Sequence, residues 1–217
     1  MTDAATRLLA IRHGETDWNV ATRIQGQRDI ALNATGRWQA QRLAAALADE
    51  ALDAVYSSDL VRARETAQAL ANHAGVELRS DSGLRERGFG VFEGLSFAEI
   101  EQRFPDSARR WRQRDASFGP AGGETLAAFY RRAVACVTAL AARHRGQHIV
   151  VVTHGGVLDA LYRAATRVAL DAPRTWQVGN ASINRLLASE AGFALVGWAD
   201  SMHLDDTAPG ATGELAA

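Results

Sequence analysis

Two histidines in this chain each stand at the end of an apolar run. Arg12-His13-Gly14 follows Leu8-Leu9-Ala10-Ile11, and His154-Gly155 follows Ile149-Val150-Val151-Val152-Thr153. In an open α/β sheet, ligands bind beyond the carboxyl ends of the strands, so both imidazoles are presented where a substrate would lie. A neutral imidazole is a nucleophile, and a guanidinium beside it offers a bidentate fork to a phosphoryl group. The two residue types together point to phosphoryl transfer through a phosphohistidine.

Phosphoryl transfer asks mainly for a placed nucleophile, donors to the equatorial oxygens and an acid for the leaving group. His13 fits the first role through one ring nitrogen, with the other donating to the backbone and fixing the tautomer. Gly14 permits a tight turn, while Arg12 and Asn19 supply donors. An isolated Arg-His pair at a strand end is an ordinary surface feature; the length of the string Arg12-His13-Gly14-Glu15-Thr16-Asp17-Trp18-Asn19 is what argues otherwise.

Three further islands add to it. In Ser57-Ser58-Asp59-Leu60-Val61-Arg62, Arg62 falls in the first turn of a helix capped by Ser58 or Asp59, where a cation opposes the helix dipole. A phosphate bound to that turn and to Arg62 removes the conflict. The competing reading is a surface pair with Glu65 or Thr66. Glu86, in Leu84-Arg85-Glu86-Arg87-Gly88, is the candidate acid, and to hold a proton it needs burial or a nearby anion against two flanking arginines. The competing reading is a solvated charge cluster. His154, before Gly155-Gly156, opens a helix close to a bound anion and is placed to donate to phosphoryl oxygens. The other histidines, His73, His144, His148 and His203, read as helix-end or surface residues.

Metal chemistry has no support in the spacing. There is no His-x-x-x-His pair and no cysteine pair, so no metal site and no cofactor are expected. All 24 basic residues are arginine, which excludes P-loop and Schiff-base chemistry, since both need a lysine. Cys136 is the only cysteine, and Ala142 stands where a cysteine-phosphatase loop requires arginine. With no disulfide, no signal-like start and no long apolar run, a cytoplasmic protein off the membrane is expected. A net charge of −1 gives no general attraction to nucleic acid.

The elements that must position these residues alternate. Strand 7–11 leads to a polar loop 12–34, then helix 35–49, strand 54–56, helix 59–73 and an edge strand 76–78. From 82 to 123 glycines separate short helical pieces carrying Phe97, Ile100, Phe104 and Trp111. Within it, 88–123 reads as a cap insertion, with Phe89, Phe92, Phe104, Trp111 and Phe118 as an apolar wall or the cap's own core. Arg109, Arg110, Arg112 and Arg114 read as a basic rim or a solvated face. Helix 124–143, strand 148–153, helix 155–166 and strands 181–188 and 193–199 follow. The pattern predicts a three-layer α/β/α sandwich over 1–205, with a mostly parallel central sheet, a small helical and loop cap and an antiparallel edge from the final pair. The tail 206–217 is expected to be disordered. The apolar strand 181–187 is a candidate exposed edge for pairing in a homodimer.

Taken together, the four islands resemble the histidine phosphatase superfamily, the phosphoglycerate-mutase-like proteins, over roughly residues 7–200. Within it the chain is most similar to the phosphoglycerate mutase 2 and broad-specificity phosphatase group. The resemblance implies that His13 is phosphorylated, that Arg12, Arg62 and His154 form the phosphate pocket and that Glu86 donates the proton. Asn19, Gln25, Gly26 and Gly155 then belong to the substrate side. The expected activity is metal-independent hydrolysis of small phosphomonoesters. Phosphoglycerate mutase or α-ribazole phosphatase activity and a non-catalytic phosphate-binding regulator are the alternatives. Mutases of the family carry Glu-Arg-His-Tyr-Gly at the acid; here Glu86 is followed by Arg87-Gly88-Phe89-Gly90, which argues against mutase activity.

Overall fold

Side chains alternate along a strand, so a strand buried on both faces divides its apolar residues into two sets. In the computed structural model, which describes residues 4–205, Leu8 and Ala10 of β1 (Thr6–Arg12) enter one core and Leu9 and Ile11 the other. In chain order there follow a single turn α1 (Asp17–Val20), α2 (Ala34–Ala46), β2 (Ala54–Ser57), α3 (Val61–Ala74) and β3 (Leu78–Ser80). Then come α4 (Phe97–Arg103), α5 (Pro105–Arg112), α6 (Leu126–Ala142), β4 (His148–Thr153), α7 (Gly155–Thr166), β5 (Ile183–Ser189) and β6 (Gly192–Asp200).

The six strands form one sheet in the order β3-β2-β4-β1-β5-β6. Strands β3, β2, β4 and β1 run parallel; β5 is antiparallel to both β1 and β6. Helices α6 and α7 cover one face through residues such as Leu140, Val157 and Leu161, and α2 and α3 cover the other through Leu43, Ala67 and Leu70. Each fully buried leucine of these faces stabilises the fold by about 1.5–3 kcal/mol relative to an exposed one. The α/β/α layers and the mostly parallel sheet are thus those expected from the alternation of elements.

Two expectations about the sheet and one about a histidine are corrected. The run 181–187 is not an edge: β5 pairs on both sides, and the free edge on that side of the sheet is β6. Its apolar character comes from packing against the two cores, where Ile183 and Leu186 are buried. The expected edge strand 76–78 forms two residues later, as β3. His148 is not a surface residue: it opens β4, is 4% exposed and has Nδ1 3.4 Å from Glu50.

The segment between β3 and α6 builds a third, smaller core of Phe92, Ile100, Ala108 and Phe118, with Phe89, Phe104 and Trp111 packed on it. Its aromatic residues therefore serve mainly their own packing, as one of the two readings had it. The expected basic rim is likewise consumed: Arg109 pairs with Asp106, Arg110 with Asp115, Arg112 with Glu101 and Arg114 with Asp159. The tail 206–217 lies outside the described residues. No described helix is long and apolar enough to cross a membrane.

Candidate functional site

Parallel pairing of β1 with β4 sets Arg12 opposite Thr153, so the residues that follow each strand emerge side by side. His13 N–H donates to Thr153 O (2.9 Å), and the His13 and His154 rings lie 5.1 Å apart between centroids, tilted by 58°. His13 Nδ1 is 2.7 Å from Gly14 O, an acceptor only, so Nδ1 carries the hydrogen and Nε2 keeps its lone pair. The sharp turn after it needs a glycine. A Cβ on Gly14 would stand 2.5 Å from Gly36 O, where α2 begins.

Burial, together with the charges of Arg62 and Arg12, holds the His13 pKa well below its usual 6.5, against the weaker pull of the Gly14 carbonyl. His154 is driven the same way by burial, then by Arg62, His13 and Arg12. Both imidazoles are therefore neutral at physiological pH. His154 is fully buried, and neither of its ring nitrogens has a hydrogen-bond partner among the described residues.

Arg62 is the second residue of α3, but the cap expected before it is not Ser58 or Asp59. Leu60 holds the N-cap position without a side-chain bond, and Asp29 Oδ1 takes the Val61 N–H instead (2.6 Å). Asp59 is drawn away by Arg85, which grips it through Nε (2.7 Å) and Nη2 (2.6 Å). Arg62 is 1% exposed and donates to Gly26 O (2.8 Å) and Arg28 O (2.7 Å), with Nε buried and unpartnered among the described residues. The surface pair with Glu65 or Thr66 is thereby excluded. Burial lowers its pKa to about 10, so it stays charged. Gly26 adopts a positive φ of 52°, which turns the loop so that its carbonyl meets Arg62.

Arg12 donates through Nη1 to Val178 O (2.6 Å), while its Nε is buried without a partner among the described residues. Asn19 closes a capping box with Thr16, and its Oδ1 accepts from Thr16 N, Thr16 Oγ1 and Asn180 Nδ2. That leaves the Asn19 amino group as its donor. Glu86 follows a short 3-10 turn at 82–84; Oε1 accepts from Arg87 N (2.8 Å) and Oε2 from Gly156 N (2.9 Å). Its neighbouring guanidiniums are committed elsewhere, Arg85 to Asp59 and Arg87 to the carbonyls of Glu124 and Phe118. Glu86 is half-buried, not part of a solvated cluster.

One cavity of about 240 Å³ gathers Arg12, His13, Asn19, Gln25, Gly26, Arg62, Glu86 and Gly155. Of the residues picked from the sequence only His154 is not on its wall; it stands behind, against His13. Arg23, Ile24, Phe89, Gly156, Arg174 and Val178 complete the lining. Arg174 and Val178 were missed because they lie in the irregular stretch between α7 and β5, whose only sequence signal is Pro173 before Arg174. No group of three or more histidine, cysteine or acidic residues able to hold a metal ion occurs among the described residues.

The chain matches the profile of the histidine phosphatase superfamily (branch 1) over residues 8–201. It is similar to phosphoglycerate mutase-like protein 4 of Arabidopsis thaliana, at 38% identity over 92% of this chain and 87% of that one. A metal-independent phosphoserine phosphatase of the same organism is 37% identical over 92% and 83%. Among solved structures, a mycobacterial glucosyl-3-phosphoglycerate phosphatase determined with VO3 superposes with a TM-score of 0.81 at 35% identity, covering 90% of this chain and 99% of that one. The chain belongs to the histidine phosphatase superfamily, branch 1, and is an enzyme of that kind.

Proposed function

We propose that the protein hydrolyses small phosphomonoesters in two steps through a phosphohistidine on His13, without a metal ion. The observation that carries this reading is the His13 imidazole: it is neutral, fixed by Gly14 O at Nδ1 and set among Arg12, Arg62 and Glu86 on one cavity wall. In the first step His13 Nε2 attacks phosphorus in line, and the P–O bond to the leaving group breaks as Glu86 gives that oxygen its proton. In the second, Glu86 as carboxylate takes a proton from water. The water oxygen bonds to phosphorus, the P–N bond breaks, and inorganic phosphate departs.

Arg12 and Arg62 neutralise the charge on the phosphoryl oxygens, and their buried Nε–H groups are donors for it. A ring nitrogen of His154 supplies a further neutral donor behind them. Asn19, Gln25, Gly26 and Gly155 bound the substrate side. Hydrolysis is favoured over phosphoglycerate mutase activity because the mutase string Glu-Arg-His-Tyr-Gly is kept here through Arg87, and its His and Tyr are replaced by Gly88 and by Phe89, an apolar residue of the cavity wall packed on Trp111. The names of the similar phosphatases support the same direction.

The experiment is a phosphoester panel in the presence of EDTA, including 3-phosphoglycerate with and without 2,3-bisphosphoglycerate, read both for free phosphate and for isomer. Full turnover in EDTA with release of phosphate is expected. A rate that needs added metal, or isomer in excess of phosphate, overturns the reading. Activity as a non-catalytic regulator would appear as phosphate binding with no turnover on any ester.

A further inference from the structure

We propose that Arg132, paired with Glu124, is a positioning residue for the acid: it holds the main chain around Glu86 so that the carboxyl group meets the leaving oxygen. This rests on Glu86 being the proton donor. After the 3-10 turn at 82–84 the chain runs to Gly88 without helix or strand, so its peptide groups have no ladder to join. Side chains take the ladder's place. Arg132 Nη1 donates to Gly83 O (2.9 Å) and Arg85 O (3.0 Å), and Nη2 donates to Glu86 O (3.3 Å). Thr153 Oγ1 donates to Leu84 O (2.8 Å), and Gln27 Nε2 reaches Glu86 O from the opposite wall (3.1 Å). Three of the four carbonyls from 83 to 86 are therefore held by one guanidinium.

Glu124 aims that guanidinium. Its Oε1 accepts from Arg132 Nε (2.8 Å) and its Oε2 from Nη2 (2.7 Å), while Oε2 also accepts from Gly88 N (2.8 Å). A bidentate carboxylate fixes the plane of a guanidinium, which an ammonium does not have. The pair thus grips the chain on both sides of Glu86, by carbonyls before it and by an amide after it. Glu124 also cancels the charge of Arg132, and the Glu86 carboxylate is left to the amides of Arg87 and Gly156.

Two helices share the task. Arg132 lies on α6 one turn after Phe129, and its guanidinium rests over that ring at 5.3 Å. Phe129 is buried and reaches the start of α7, where its ring lies 3.1 Å from the place of a Cβ on Gly156. Helix α6 fixes the main chain of the acid, α7 fixes its carboxylate, and Phe129 packs between them. The Arg132 and Glu124 side chains are each 26% exposed, so water can reach the freed carbonyls when Arg132 is shortened. What is lost is the placement of Glu86 rather than the fold, and a displacement of about 1 Å in a catalytic group costs about 100-fold in rate.

The test measures kcat/KM, which covers transfer to His13 but not the later release of phosphate, on glycerol 3-phosphate and on p-nitrophenyl phosphate. Only the alkoxide of the first needs the Glu86 proton as its P–O bond breaks. The ratio of the two is internal to each variant, so a loss of folded enzyme cancels. Arg132→Met is expected to depress glycerol 3-phosphate relative to p-nitrophenyl phosphate by about 10–100-fold, with Arg132→Lys and Glu124→Gln falling between it and wild type. In a Glu86→Gln background, Arg132→Met should change that ratio by less than about threefold, because the two residues act as one unit. The inhibition constant of inorganic phosphate should stay within about threefold of wild type, since Arg12, Arg62 and His154 are untouched. Equal losses on both esters in Arg132→Met, a fully additive loss in the double variant, or a phosphate inhibition constant that rises in step with the loss overturns the assignment. Equal losses on both esters in Glu86→Gln alone remove the acid itself, and the assignment falls with it; that failure is recognised without any change at Arg132.

Discussion

Glu86 Oε2 accepts a hydrogen bond from Gly156 N–H at 2.9 Å, and its Oε1 lies 2.1 Å from where a Cβ on Gly156 would stand. The second residue of α7 therefore both orients the carboxylate and has to be glycine to leave room for it. In Gly156→Ala the carboxylate swings aside, since the obstacle is the end of a flexible side chain, although Phe129 at 3.1 Å must also give slightly. Removing a helical glycine recovers up to about 1 kcal/mol of propensity. The expected outcome is an unchanged or raised Tm by calorimetry together with kcat on alkyl phosphates reduced by about 100-fold, the scale of general acid–base catalysis. A lowered Tm with intact kcat would separate Gly156 from the acid.

Glu86→Gln keeps the shape but only one of the two acceptors, since its amide nitrogen donates, and it cannot transfer a proton. An alkoxide leaves poorly without protonation, whereas nitrophenolate leaves unaided. The loss should therefore be about 10²–10⁴-fold on glycerol phosphate and much smaller on p-nitrophenyl phosphate. Steady-state kinetics on the two esters decides it, and equal losses on both would remove Glu86 from the role of acid.

His13→Asn should abolish turnover and phosphoenzyme formation, and it should also change how stability depends on pH. His13 and His154 titrate in the folded protein well below the usual 6.5, through burial first and then the nearby arginines. Between the folded and unfolded pKa values the unfolded chain binds protons that the folded chain does not. Stability is accordingly full above pH 6.5 and falls as the pH drops below it, by up to about 1.4 kcal/mol per pH unit for each group. His148 and His203 shift in the same direction. The carboxylates with lowered pKa values, Asp59, Glu99, Asp115 and Glu124, start from 3.8 or 4.5 and act at lower pH. Urea unfolding at pH 7.5, 6.5 and 5.5 should show the slope in wild type and a shallower one in His13→Asn; parallel curves would place the imidazole outside the buried, neutral state.

The site was legible wherever chemistry-bearing residues sat beside a strand end or a helix start. His13 and His154 follow apolar runs that could only be buried strands, and parallel pairing of β1 with β4 then brings them together. Pairing geometry was less legible. The run 181–187 reads as apolar whether it lies at an edge or inside, and only the bonds of β5 to both β1 and β6 distinguish the two. The cap of α3 failed for a competitive reason: Asp59 is a good N-cap residue, but a bidentate Arg85 holds its carboxylate elsewhere. Arg174 was invisible because its place on the cavity wall depends on a loop anchored by Asp159, Arg163 and Arg114, which lie 11 or more positions away along the chain.

Asp159 itself is 7% exposed and touches both Arg163 and Arg114, so it is the shared anion of a largely buried triad that joins α7, the loop ahead of β5 and the segment following α5. Its replacement by alanine leaves two guanidiniums without their counter-charge, one of them on a side chain with no exposure. Breaking a buried pair in this way costs about 3–5 kcal/mol, whereas exposed pairs contribute about 0–1 kcal/mol. Asp159→Ala is thus expected to lower the urea midpoint strongly, while Glu101→Ala, which removes only the exposed partner of Arg112, should leave it nearly in place. Comparable effects from the two substitutions would mean that water reaches the triad, and the loop carrying Arg174 would then lose the rigidity that its bonds to Arg163 and Arg114 otherwise confer.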